Sequence, residues 1–206
     1  MSSPRSSDVV WQRGRIDREA RWRRLGRRGA TVWFTGLPAS GKSTVAGLVE
    51  AGLLERGLSA YRLDGDNLRH GLCGDLGFQA EDRAENVRRA AHVAALLADA
   101  GEVAVVSLVS PYAADRALAR QIHDDAGLDF LEVYVNTPLE ECERRDPKGM
   151  YARARAGEIP RVTGVNDPYE APAAPDLELH CATRAAAEAA AEVIETLVAL
   201  GVAART

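Results

Sequence analysis

Apolar positions along the chain come in short blocks that alternate between two spacings. Residues 30–35 are apolar and β-branched without interruption, as in a strand buried on both faces. From Thr44 the spacing changes to that of an amphipathic helix. The alternation then repeats. Residues 58–63 predict a second strand, ending at Asp64-Gly65-Asp66-Asn67, and a glycine-rich connection follows through Gly71, Gly74 and Gly77. A helix is predicted over 82–100, with Val87, Ala91, Ala94, Leu97 and Ala98 on one face. A strand over 103–109 ends at Ser110-Pro111, and a helix over 113–126 comes next. A strand over 130–135 leads into Thr137-Pro138-Leu139-Glu140, a cap-and-proline helix start. Residues 146–175 carry little periodicity beyond a short helix at 151–156, and such a length of irregular chain predicts a lid or binding loop. A short strand at 177–179 and an alanine-rich helix over 184–200 close the pattern. Strands alternating with helices predict an α/β fold: a parallel five-stranded sheet with helices on both faces. The division expected is an arginine-rich segment at 1–29 and one domain over 30–206.

Between the first strand and helix lies Gly-Leu-Pro-Ala-Ser-Gly-Lys-Ser, residues 36–43, a complete G-x-x-x-x-G-K-[ST] phosphate loop. Gly36 and Gly41 let the backbone curl, so that the N–H groups of Leu37 to Thr44 can face phosphate oxygens, helped by the helix N-terminus. Pro38 has no N–H to give. Lys42 can reach the β- and γ-phosphates, and the Ser43 hydroxyl can bind Mg²⁺. In a parallel sheet, ligands gather at the carboxyl ends of the strands, where Asp64, Asp66, Ser110 and Asn136 also fall. Phosphoryl transfer needs cations around the phosphate and a carboxylate to take the acceptor's proton. Asp64 and Asp66 can supply that base and a contact to the metal's water shell, although Asp-Gly-Asp-Asn taken alone is an ordinary turn.

Composition sharpens the chemistry. Lysine plus arginine total 26, yet lysine occurs only at Lys42 and Lys148, so a compact ammonium is kept at two places in a chain that otherwise uses arginine. The first 30 residues hold nine arginines against Asp8, Asp17 and Glu19, a balance of +6 that leaves −10 for the rest. The overall charge of −4 gives no nucleic-acid footprint, and a solvated lead-in helix, or pairing with an acidic face, is the expected use of those arginines. No stretch approaches the roughly 20 apolar residues of a membrane span, and the start lacks a secretory apolar core. Cys73, Cys142 and Cys181 have no metal or disulfide spacing, so a cytoplasmic setting is expected. Of Arg69, Arg83, Arg88 and Arg89, about two are expected to clamp an anionic acceptor. Phe78, in a polar connection, is either a core anchor or a platform for a flat base, and its surroundings favour the platform.

Several longer motifs resemble the adenylylsulfate kinase family. They are Asp64-Gly65-Asp66-Asn67-Leu68-Arg69-His70-Gly71-Leu72, Asp75-Leu76-Gly77-Phe78 and Asp82-Arg83-Ala84-Glu85-Asn86-Val87-Arg88-Arg89. They continue with Val109-Ser110-Pro111-Tyr112, Arg145-Asp146-Pro147-Lys148-Gly149-Met150-Tyr151, Ala154-Arg155-Ala156-Gly157-Glu158-Ile159, Thr163-Gly164 and Asp167-Pro168-Tyr169-Glu170-Ala171-Pro172. A lead-in segment around Trp11 and the Trp33-Phe34-Thr35-Gly36 run belong to the same likeness, which covers nearly the whole chain. The resemblance implies a P-loop kinase that moves the γ-phosphate of ATP, with Mg²⁺, to the ribose 3′-hydroxyl of adenylyl sulfate. It implies an acidic pair in Asp64 and Asp66, with Arg69, Arg83 and Asn86 on the phosphosulfate and ribose and Phe78 stacked on adenine. Val109 and Ser110 would line the acceptor site, Arg145 would flank the ATP base, and Lys148 would reach phosphate from the lid. A serine at the Ser110 position is described in this family as a phosphorylated intermediate, whereas in-line transfer needs no covalent stage. A homodimer, with the arginine-rich segment ordered over a neighbouring site, and coupling to an ATP sulfurylase are also implied.

Four positions depart from the family pattern. Val162 stands where an aromatic residue usually completes a sandwich around the acceptor adenine, and a base–aromatic stack is worth roughly 1–3 kcal/mol. That departure raises the alternative of a different nucleotide-like acceptor. Pro38-Ala39 replaces smaller or more polar loop residues, and Asn166 replaces an acidic one.

Overall fold

A computed structural model describes residues 9, 10, 12 and 14–202; Trp11 of the lead-in lies outside the described residues. The sheet is built from β1 (Ala30–Thr35), β2 (Ala60–Asp64), β3 (Val103–Ser107), β4 (Asp129–Val135) and β5 (Leu177–Leu179). All pairs are parallel and the order is β2-β3-β1-β4-β5. β1 lies at the centre, and every one of its residues is buried, which is why its sequence shows no polar alternation.

Side chains alternate between the two faces. Val32 and Phe34 of β1 join Val103, Val105, Leu131 and Val133 under α2 (Lys42–Glu55) and α8 (Ala186–Ala199). On the other face Trp33, Ala104, Val106 and Phe130 pack under α4 (Ala80–Ala100) and α5 (Ala113–Asp125). Alanines at 90, 91 and 94 let α4 lie close against the sheet. A third, smaller cluster of Cys142, Tyr151, Ala154 and Val162 forms where α6 (Leu139–Arg145) and α7 (Met150–Arg155) meet the chain beyond them. α7 is held by Asp146, whose carboxylate accepts from the N–H groups of Met150 at 2.8 Å and Ala152 at 3.0 Å.

Two features differ from the sequence reading. The apolar run 103–109 is strand only as far as Ser107. Leu108 N–H still reaches Phe34 O at 3.3 Å, but Ser110 adopts φ +39° and turns the chain out of the extended path. Residues 65–68, read as a turn, form a one-turn helix, α3 (Gly65–Leu68), capped by Asp64. Before β1, α1 (Arg18–Leu25) starts at Asp17, whose carboxylate accepts from Ala20 N–H at 2.7 Å, and packs on α4.

Candidate active site

The phosphate loop follows β1 directly and ends in the first turn of α2. A Cβ on Gly36 would lie 2.7 Å from the Val135 carbonyl oxygen, so no side chain fits there without moving β4. Gly41 sits at φ +108° as the N-cap of α2, a conformation that glycine adopts freely. Ala39 also has positive φ, +58°. The loop is braced from outside. Thr137 Oγ1 donates to Ser40 O at 2.9 Å, Tyr151 Oη donates to Pro38 O at 3.0 Å, and Arg145 Nη1 donates to Ser40 O at 3.2 Å. Arg145 also grips Cys181 O at 2.6 Å, fixing the segment after β5 to the loop's edge.

Lys42 is buried, and its Nζ donates to Leu37 O at 2.7 Å and Ser40 Oγ at 3.4 Å. Burial lowers its pKa to about 8, while Cys142, Asp64 and Asp66 lie near enough to oppose that drop. The acidic couple and the loop lysine therefore lie within electrostatic reach of one another. Ser43 Oγ meets Ser107 Oγ at 3.2 Å, and Ser107 is the β3 partner of Asp64 in the sheet register. Two hydroxyls meet there, next to the strand position of Asp64. Such hard oxygen donors, few in number beside phosphate, suit Mg²⁺. Asp64 itself accepts from Asp66 N–H at 3.0 Å, which aims the exposed Asp66 carboxylate across the cleft, where it pairs with Lys148 of the lid.

The four arginines after the acidic turn divide in two. Arg88 and Arg89 bind Glu85, and Arg89 also binds Asp75 at 2.6 Å. Those salt bridges hold Glu85 at about 2. Arg69 and Arg83 instead converge on Phe78, with guanidinium carbons 4.3 and 5.7 Å from its ring centroid. Arg83 is buried and reaches the lid through Arg161 O at 2.7 Å and Asp167 at 3.4 Å. Phe78 is 56% exposed, so it is no core anchor; its open surface is available to a flat ligand. Asn86, one turn on from Arg83 in α4, is buried with its amide against the Cys73 thiol and its Nδ2 without an acceptor among the described residues.

Two predicted contacts are placed differently. Val162 is 4% exposed and packs with Cys142, Tyr151 and Ala154, so its side chain belongs to the lid's own core and offers no open face to a base. Ser110 is also buried, and its Oγ accepts from Trp33 Nε1 at 3.2 Å, behind the wall of the cleft rather than in it. Val109, half-buried, keeps its carbonyl tied to Thr35 Oγ1 at 2.8 Å. Tyr169 escaped the sequence reading. Since the Thr35 hydroxyl donates to Val109, Tyr169 Oη donates to Thr35 Oγ1, at 3.0 Å. It borders a cavity of 520 Å³ between Leu37 and the turn 164–169. Its only signal in the sequence was its place in the Asp167-Pro168-Tyr169 motif.

The adenylylsulphate kinase family model matches residues 28–180. The bifunctional enzyme CysN/CysC of Mycobacterium tuberculosis is 62% identical over 170 residues, 82% of this chain but 28% of that protein's length. Adenylyl-sulfate kinase of Clostridium acetobutylicum is 51% identical over 177 residues, 86% of this chain and 87% of the relative. The structure of the Mycobacterium tuberculosis APS kinase CysC in complex with AMPPNP and APS superimposes with a TM-score of 0.81 at 62% identity, covering 84% of this chain and 99% of that one. Phosphate loop, acidic couple, arginine-flanked Phe78 and lid thus agree with the whole-domain likeness: the chain belongs to the adenylylsulphate kinase family.

Proposed function

We propose that the protein transfers the γ-phosphoryl group of ATP to the ribose 3′-hydroxyl of adenylyl sulfate, giving 3′-phosphoadenylyl sulfate and ADP. The observation that carries this reading is proximity: Lys42 lies within electrostatic reach of Asp64 and Asp66, and Lys148 bridges to Asp66. The loop N–H groups and Lys42 would receive the β- and γ-phosphates, for which Lys42 must leave Leu37 O. Arg145, fixed beside Gly41, would flank the nucleotide base. Ser43 would hold Mg²⁺, with Asp64 acting on its water shell, and the ion when bound supplies charge neutralisation at the phosphate oxygens.

Asp66 would take the proton of the acceptor hydroxyl, and Lys148 would then exchange its carboxylate partner for phosphate. Arg69, Arg83 and Asn86 would hold the phosphosulfate and ribose, with Phe78 against the adenine. Val109 would line the adjoining wall, with the Ser110 side chain buried behind it. The alternative of another nucleotide-like acceptor arose from Val162, whose side chain is taken up by lid packing. A homodimer and a cytoplasmic setting are part of the reading. Among the described residues no helix is long and apolar enough to cross a membrane. Because adenylyl sulfate must be made from ATP and sulfate, a sulfurylase reaction has to supply it.

A coupled assay with ATP, Mg²⁺ and adenylyl sulfate tests the reaction. Asp66→Asn should lower kcat roughly 10²–10⁴-fold, the usual range for a lost general base, and leave the affinity for a non-hydrolysable ATP analogue intact. No turnover in the unaltered protein, or an Asp66→Asn variant with full kcat, would refute it.

A further inference from the structure

We propose that Arg116 is a positioning residue that fastens the acceptor wall and the base of the lid into one unit. The proposal rests on the acceptor reading above. Arg116 stands in the first turns of α5, 4% exposed in a chain whose arginines are mostly at the surface. Its guanidinium points three ways. Nη1 donates to Ser110 O at 2.7 Å, Nη2 to Glu170 O at 2.6 Å, and Nε to Glu132 Oε1 at 2.9 Å. Its face lies 5.9 Å from the Tyr169 ring centroid.

Each partner belongs to a different part of the cleft. Ser110 carries the left-handed turn, φ +39°, that ends the β3 path and sets the direction of Val109 and Pro111. A non-glycine residue holds such a conformation only where its surroundings fix it. The surroundings here are Arg116 on the carbonyl and Trp33 on the hydroxyl. Glu170 is where the lid returns to the domain. Its N–H donates to Pro111 O at 2.8 Å, and its carboxylate accepts from Ala113 N–H at 2.7 Å. Tyr169, one residue earlier, is joined through Thr35 to Val109. Glu132 on β4 pins the guanidinium itself to the sheet. Wall and lid base thus share one cation, and neither can shift without breaking a bond to it.

A planar fork can serve three acceptors in fixed directions, whereas an ammonium on a flexible stem cannot. Arg116→Lys keeps the charge and most of the volume, so it separates geometry from electrostatics. The Michaelis constant for adenylyl sulfate should rise at least about tenfold, as for the loss of one charge-assisted hydrogen bond, with that for ATP within about twofold. Hydrogen exchange supplies a readout independent of turnover: the Glu170 amide should exchange at least about tenfold faster, with the amides of β1 unchanged. Glu132→Gln, which leaves the fork in place but loosens its anchor, should move both readouts the same way by a smaller factor. If Arg116→Lys does not fold, Glu132→Gln decides.

Acceptor and ATP constants that rise together, or an unchanged Glu170 amide, would overturn the proposal. If the unaltered protein fails to turn over adenylyl sulfate, the proposed function falls. The exchange measurement then still decides whether Arg116 ties wall to lid.

Discussion

Lys42 is the residue on which burial and function pull hardest against each other. Its ammonium is held out of water with two loop oxygens for company, and burial brings its pKa from the ordinary 10.5 to about 8. The unfolded chain therefore binds the proton more tightly than the folded one between those values. Below pH 8 the full burial cost opposes folding, on the order of 3 kcal/mol, and it fades as pH rises towards 10.5. Lys42→Met should abolish most turnover, by roughly 10²–10³-fold or more for a lost phosphate-facing cation. It should also melt no lower than the parent at pH 7, and the difference in melting temperature should shrink as pH is raised from 8 to 10.5. Thermal melts of both proteins across that range check it, and a variant that melts several degrees lower at pH 7 would show the ammonium to be stabilising instead. At this scale the sequence offered what a loop motif dictates, Lys42 and Ser43, and separately the acidic turn of Asp64 and Asp66. It did not separate Arg69 and Arg83 from Arg88 and Arg89, because that division depends on which carboxylates the fold brings near. Arg116 was invisible for the same reason, one arginine among many.

The segment 146–175, expected to be a lid, shows where element-level reading stops. Its lack of periodicity, with Lys148 inside it, is what suggested a lid. Its internal packing left no such trace. Ile159, Val162 and Val165 close over Cys142, Tyr151 and Ala154 against Leu37 and Leu139, a core assembled from residues far apart in sequence. That core changes the expectation for Val162. An aromatic side chain placed there enters a filled space, and overpacking of this kind typically costs about 1–3 kcal/mol. Val162→Phe should therefore loosen the lid, raise the Michaelis constant for adenylyl sulfate and increase proteolytic cutting within 146–175, with ATP binding little changed. Steady-state kinetics and limited proteolysis on the variant test this. A tighter acceptor constant with unchanged cutting would instead restore the picture of an adenine sandwich missing one slice. The end of β3 has a similar lesson: a run of seven residues, all apolar but Ser107, predicts seven strand residues, but a tertiary clamp on Ser110 stops the strand two short.

The parallel five-stranded sheet followed from alternation of periods, since parallel strands need helical crossovers and buried strands need unbroken apolar runs, whereas the strand order is read from the structure alone. Charge distribution was legible only as an imbalance. The structure shows where the excess arginine goes among the described residues. Arg18 and Arg21 bind the Asp99 carboxylate at 2.8 and 2.7 Å, Trp22 Nε1 donates to the Asp99 carbonyl at 3.2 Å, and Arg27 and Arg28 pair with Glu102 and Asp129. α1 is thus clamped across the ends of α4 and the starts of β3 and β4, on the sheet edge opposite the phosphate loop. Half-exposed pairs are worth little singly, about 0.2–1 kcal/mol each, so the clamp draws its strength from two arginines sharing the Asp99 carboxylate together with the neighbouring pairs. Asp99→Ala should lower stability by about 1–2 kcal/mol, and raising salt to about 1 M should narrow the gap from the parent because these charges are screened. If α1 only braces the domain, kcat and both Michaelis constants stay within about twofold, as for a surface change away from the site. A loss of turnover without a loss of stability would mean that α1 reaches an active site, and since its own lies at the far edge, that site would have to be a neighbouring copy's. Melting curves at two salt concentrations, read beside the kinetics of the same preparation, separate the brace from the bridge.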